Sequence, residues 1–211
     1  MSCPEILSVL KDLVLLIASL VGIYVAIRGL NTWRRQLDGQ ADYDLSRRVL
    51  VSLFKLRDRI QNVRNPMMMA YEMPQPPEDE RAKMSNEQIR FYGTRSAYES
   101  RWNSVDEVRL ALYPDLLESE AIWGAELKDL FSVVFKLQHE LLIHTKYFLD
   151  STNPDSDPDM RKSKAEIYKK QRDIIYDLST NEQDDEYKLE LLKAVGDIED
   201  YLKPKLKQQK L

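Results

Sequence analysis

Residues 13 to 27 read LVLLIASLVGIYVAI, fifteen positions without a charge. Before them Ile6-Leu7-Ser8-Val9-Leu10 is apolar apart from one serine, and only Lys11 and Asp12 interrupt. At about 1.5 Å per residue the charge-free run gives roughly 22 Å of helix, short of a hydrocarbon layer of about 30 Å. Counted from Ile6 the stretch reaches about 33 Å, which spans if Lys11 snorkels to the headgroups and Asp12 sits near them. A signal peptide fits poorly, because the start is Met1-Ser2-Cys3-Pro4-Glu5 and the exit Val25-Ala26-Ile27-Arg28 lacks a small-x-small site. A buried core helix is the remaining alternative to a membrane anchor, and the anchor is the reading adopted.

Flanking charge sets an expected orientation. One basic residue, Lys11, precedes the apolar run, whereas Arg28, Arg34, Arg35, Arg47 and Arg48 follow it. Cationic flanks stay on the cytoplasmic side, so the N-terminus is expected outside and the remainder inside. Arg28, Trp33, Arg34 and Arg35 are the expected headgroup contacts, with Tyr24 as a further interfacial aromatic. Ala18, Gly22 and Ala26 recur every four residues and Gly29 continues their face. Small residues at this spacing allow close backbone approach in lipid, which points to a homo-oligomer; the competing reading is that Gly and Ala are simply common in membrane helices.

The rest of the 211-residue chain excludes several chemistries. Its six glycines lie at least seven positions apart, so a dinucleotide fingerprint, a P-loop and a nucleophile elbow are absent. Cys3 is the only cysteine, which removes intramolecular disulfides, CxxC pairs and cysteine-rich zinc sites. Mean hydropathy is −0.49, an ordinary value for a soluble chain that conceals the first 30 residues.

Behind the anchor, residues 41–64 read as a helix with Leu45, Val49, Leu53, Leu56, Ile60 and Val63 at spacings of four and three, widened by Leu50 and Phe54. Its other face is basic: Arg47, Arg48, Lys55, Arg57, Arg59 and Arg64. Residues 66–84, PMMMAYEMPQPPEDERAKM, form a Met- and Pro-rich connection longer than compact domains usually carry. It is expected to pack over the end of the bundle, with a partner groove or membrane contact as the alternative use of its flexible thioethers. Ser85 to Gln88 fits a capping box opening a helix with Phe91, Tyr98, Trp102, Val105 and Leu112 on one face, expected to end at Tyr113-Pro114-Asp115. A longer element over 115–149 carries a heptad-like seam of Trp123, Leu127, Leu130, Val134, Leu137 and Leu141, continued by His144 and Phe148. After the acidic turn 150–159 come helices expected over 161–179, burying Ile167, Tyr168, Ile174, Ile175 and Leu178, and over 186–203, burying Leu191, Val195, Ile198 and Leu202. Pro204 and the basic tail Lys203, Lys205, Lys207 and Lys210 close the chain.

No metal site emerges. His139 and His144 are five apart, about 140° around a helix, so they cannot share an ion as histidines four apart do; His144 is expected in the core and His139 in solvent. Neither histidine follows a glutamate by three, as a di-iron bundle requires. Asp155, Asp157, Asp159 and Glu166 match calcium-loop positions, but Met160 stands where the loop needs glycine, and Asp159 as an N-cap explains the same residues. Residues 28–64 hold nine Lys or Arg against four Asp, whereas residues 65–211 hold 21 against 29. Positive charge that begins at the membrane meets anionic headgroups first, so no nucleic-acid partner and no cofactor are expected.

The run NTWRRQLDGQADYDLSRRVLVSLFKLRDRIQNVRNP, with Trp33 to Leu37, Gly39, Lys55 to Asp58 and Val63 to Pro66, resembles the juxtamembrane region of uncharacterised bacterial single-pass membrane-anchored helical proteins. The resemblance spans residues 31–66 and the anchor, implies a bacterial inner-membrane location and brings no catalytic residue.

The expected protein is therefore all-α: residues 1–37 a membrane anchor with a basic juxtamembrane segment, residues 38–211 a cytoplasmic antiparallel bundle of about five helices. Its expected role is a non-enzymatic interaction or scaffold module with the lipid bilayer, a second copy and a cytoplasmic protein as partners. The alternative is a membrane effector or sensor whose bundle acts on the anchor, with Gly39 and Gln40 as the hinge.

Overall fold

The computed structural model describes the backbone of residues 3–177 and 185–207, and the side chains there apart from residues 3–12, 14, 38 and 207. The side chains of Lys11, Asp12 and Lys207, and all of Leu178 and Lys210, thus lie outside the described residues. Among the described residues six α-helices follow one another: α1 (Cys3–Val63), α2 (Glu78–Arg81), α3 (Asn86–Trp123), α4 (Glu126–Thr152), α5 (Pro158–Lys170) and α6 (Glu186–Lys207), with a 3-10 turn at Ala70–Glu72. No strand occurs among the described residues. The chain divides into two compact units, Met1–Asp44 with Lys205–Leu211, and Leu45–Pro204.

The second unit is a helical bundle. Leu45, Val49, Leu53, Leu56, Ile60 and Val63 are all fully buried, as their spacing predicts. Each such side chain contributes about 1.5–3 kcal/mol by leaving water. Also buried are Ala97, Tyr98, Trp102, Val105, Leu112 and Leu116 of α3; Leu127, Phe131, Val134, Leu137 and Leu141 of α4; and Leu191, Val195, Ile198 and Leu202 of α6. The capping box forms at Ser85: Gln88 N–H donates to Ser85 Oγ at 3.2 Å and Ser85 N–H donates to Gln88 Oε1 at 2.7 Å.

Several boundaries differ from the sequence expectation. The helix expected over 41–64 is the C-terminal part of α1, and Gly39 and Gln40 lie inside that helix. Helix α3 continues through Pro114 to Trp123. Proline forfeits one ladder bond, but its ring is on the exposed side, while Leu112, Leu116 and Ser119 are buried on either side of it and retain the helix by packing. The chain breaks instead at Gly124, whose φ of 83° is the only positive value among the described residues and which a side chain would resist. Trp123 thus ends α3 rather than heading the seam of α4, in which Leu130 is only half-buried.

Helix α5 stops at Lys170. Ile174 and Ile175 are buried, but in a non-helical stretch over 171–177, and Ile167 is exposed. The N-cap of α5 is Asp157, not Asp159: its carboxylate accepts from the N–H groups of Asp159 and Met160. Pro204 lies within α6.

Candidate functional site

Within the first unit, α1 carries one segment long and apolar enough to cross a membrane by length and composition, and none of that segment is buried. Its large apolar side chains from Leu13 to Leu37 are 47–61 % exposed and lie on all sides of the helix. Two of the three hydroxyls in this stretch are satisfied within the helix, Ser19 Oγ donating to Leu15 O at 2.8 Å and Thr32 Oγ1 to Arg28 O at 2.9 Å, and the third belongs to the exposed Tyr24. Internal bonding of the two aliphatic hydroxyls meets a condition lipid imposes. Ala18, Gly22, Ala26 and Gly29 fall within an arc of about 80°, and a Cβ at Gly22 or Gly29 would meet nothing within 4 Å. Arg28 lies over the Tyr24 ring at 5.7 Å, and Trp33, Arg34 and Arg35 are exposed.

The basic face farther along α1 is partly used inside the bundle. Arg48 pairs with Asp115 at 2.9 Å and Glu118 at 2.6 Å on α3. Arg57 pairs with Asp58 at 2.8 Å and covers the Phe54 ring at 5.1 Å. Arg64, just beyond α1, is 2 % exposed and pairs with Asp185, 8 % exposed, at 2.8 Å. Part of the positive charge of residues 28–64 is thus paired within the chain at these three positions. Arg47, Lys55 and Arg59 remain exposed.

Arg64 and Arg101 are the two buried cations among the described residues of the bundle. Arg64 donates to Ile174 O at 2.7 Å and Tyr176 O at 3.2 Å, and its guanidinium stacks 4.7 Å from the Tyr187 ring. Arg101 donates to Asn65 O at 2.7 Å, to Met67 O at 2.8 Å and to both oxygens of Glu72 at 2.7 and 3.1 Å. Charge-assisted bonds of this kind are about twice as strong as neutral ones, so these side chains fix the irregular segments that follow α1 and precede α6. The Arg101 guanidinium holds the Glu72 carboxyl below the usual range. Met73 seats against Gly93, where a Cβ would come within 3.3 Å of it. The 66–84 connection thus packs on the bundle, while Met67, Met69 and Tyr71 point outward. The sequence analysis missed both clamps, although a signal was present: Arg64 follows Ile60 by four, and Arg101 stands three after Tyr98 and four before Val105, each on a buried stripe.

A third polar cluster joins α4, the 171–177 stretch and α6. Arg172 donates to Glu140 at 2.8 and 2.7 Å and to Glu190 at 3.0 and 2.9 Å. The same contact lowers the Glu190 pKa and raises that of Arg172. Glu140, Ile143, His144, Gln171 and Arg172 line a shallow cavity of about 360 Å³. His144 is 4 % exposed with Nδ1 unpartnered, its edge toward Tyr168 at 6.4 Å between centroids. Burial pushes its pKa down, with Glu140 and Asp173 opposing and Arg172 assisting. Burial likewise pushes the Tyr168 phenol up to about 12. His139 is exposed and His144 buried, on different sides of α4 as their spacing requires.

Among the described residues no group of three or more His, Cys, Asp or Glu side chains is placed to hold a metal ion. Asp157 is engaged as a helix cap, and the Arg172 fork is shared between two carboxylates. Glu72, Asp185, Glu140 and Glu190 are each paired with a buried or half-buried arginine, which ties an irregular connection to the helices. No protein-family model, curated protein or solved structure matches the chain.

Proposed function

We propose that this chain is a single-pass membrane protein whose helical bundle is held at the cytoplasmic face of a bacterial inner membrane as a non-enzymatic interaction module. The observation that carries the reading is the apolar sleeve of α1, uncovered on every side from Leu13 to Leu37. In water such a surface is costly and associates without specificity; in a bilayer each Leu, Ile or Val contributes about 0.3–0.6 kcal/mol to insertion. Arg28, Arg34 and Arg35 stand exposed just after the apolar run, which favours the N-outside orientation. The small-residue face of Ala18, Gly22, Ala26 and Gly29, open in the single chain, supports pairing with a second copy. A cytoplasmic protein is the further partner the bundle would hold near the membrane.

Cys3, the only cysteine, tests the orientation. A membrane-impermeant maleimide is expected to label Cys3 in intact cells, whereas a cysteine at exposed Ser100, in a Cys3→Ser background, is expected to react only after lysis. The reverse pattern would overturn the orientation.

A further inference from the structure

Helix α5 departs from the acidic character of the bundle around it. Residues 65–211 hold 21 basic against 29 acidic side chains, yet the thirteen residues of α5 hold five basic, Arg161, Lys162, Lys164, Lys169 and Lys170, against Asp159 and Glu166. None of its residues is buried. Its inner side is Tyr168, packed against His144 and Phe148, together with Lys164 over the Tyr147 ring at 5.3 Å. At 100° per residue Lys162, Ser163, Glu166, Lys169 and Lys170 fall on the opposite side, and all five are exposed. Among the described residues Lys162, Lys169 and Lys170 make no ion pair, unlike Arg48, Arg57 and Arg64. On the flank of that face Met160 and Ile167, seven apart, are 58 % and 38 % exposed.

Unpaired lysines beside exposed apolar side chains on one helix face are the composition of an element that lies in a bilayer interface, where cations meet anionic headgroups and apolar groups enter the acyl boundary. We propose that the outward face of α5 is a second membrane contact, docking the bundle onto an anionic leaflet. The inference rests on the anchor reading, because α1 confines the bundle within reach of the bilayer and so turns a weak contact into an intramolecular one. Charge complementarity selects the occupant, and the side chains exclude the main competitor. A nucleic-acid face places aromatics or Arg forks outward to stack on bases; here the tyrosine of α5 faces inward and the outward cations are lysines.

The test uses the full chain with Cys3→Ser and Ser163→Cys, labelled with a polarity-sensitive dye. It is reconstituted into bilayers of phosphatidylcholine alone or of phosphatidylcholine with equimolar phosphatidylglycerol, each containing brominated lipid as quencher. The anionic bilayer is expected to quench the dye, and the neutral one much less. Each lysine exchanged for glutamine at 162, 169 or 170 is expected to weaken the contact about fivefold, and high salt to reverse it. Met160→Gln with Ile167→Gln keeps the charge and is expected to leave the salt dependence while reducing quenching depth. Equal quenching in both bilayers, or quenching indifferent to the lysine exchanges, would overturn the proposal. So would a duplex oligonucleotide that binds the wild-type chain more tightly than the anionic bilayer contact and displaces it. Retention of the chain in either bilayer reports on α1 separately, so loss of the anchor and loss of the α5 contact are read independently.

Discussion

Asp185 performs two tasks that one pair of substitutions separates. Its Oδ2 meets Arg64 at 2.8 Å with both side chains at least nine-tenths buried, and its Oδ1 accepts the Lys188 N–H at 2.9 Å, capping α6. Asp185→Asn keeps the cap, since Asn caps as well as Asp, but leaves the Arg64 charge without its counter-ion. Breaking a buried pair from one side costs about 3–5 kcal/mol. The lower end applies here, because Arg64 retains two backbone carbonyls and the Tyr187 ring. Asp185→Ala removes the cap as well and adds about 1 kcal/mol. The comparison is Asp115→Asn, which breaks an ion pair whose arginine is 43 % exposed; less than about 1 kcal/mol is expected there. At about 2–4 °C per kcal/mol for a chain of this size, thermal melts of the full chain in detergent, followed by circular dichroism, should fall by roughly 6–12 °C for Asp185→Asn. The drop should be larger for Asp185→Ala and only a few degrees for Asp115→Asn. If Asp185→Asn shifted the melt no more than Asp115→Asn, the claim that the Arg64 clamp is dry and organises this end of the bundle would be refuted.

Three other outcomes are expected. His144 has its folded pKa below the unfolded value of 6.5, so the neutral ring contributes stability that is full above about pH 6.5 and is lost as pH falls through the folded pKa. Urea midpoints against pH for wild type and His144→Leu should therefore diverge only in that window, before the lower-pH losses from Glu72 and Glu190, whose folded pKa values lie below 4.5. Glu72→Gln strips Arg101 of its counter-ion and is expected to cost about 3 kcal/mol, with faster amide exchange confined to residues 66–73; unchanged exchange there would contradict the clamp. Gly22→Leu has room in the single chain, so reduced crosslinked dimer with unaltered helix content is expected if the small-residue face pairs; undiminished crosslinking would move the contact elsewhere.

The fold class and most of the core were legible because they depend on spacing. The stripe from Leu45 to Val63 and the seam from Leu127 to Leu141 are local periodicities, and burial follows them. The boundaries were less legible because they depend on partners distant in sequence. Pro114 reads as a stop until the buried side chains on either side of it are known, and Ile174 and Ile175 read as helical until Arg64, some 110 residues earlier, is seen to take the carbonyls of 174 and 176. The site was legible where it is compositional, in the uncharged run from Leu13 to Ile27. It was not decidable where charge had to be divided between solvent and interior: Arg48 and Arg64 look the same in sequence as Arg34 and Arg35, and only the acidic partners on other elements tell them apart. The free lysines of α5 were hidden by the converse effect, since a net acidic bundle averages them away.

The central claim is that α1 anchors the chain in a bilayer, and alkaline carbonate extraction of membranes from cells expressing the full chain tests it directly. The account predicts that the protein stays in the membrane pellet and floats with lipid in a density gradient. Release of wild-type protein to the supernatant would contradict it.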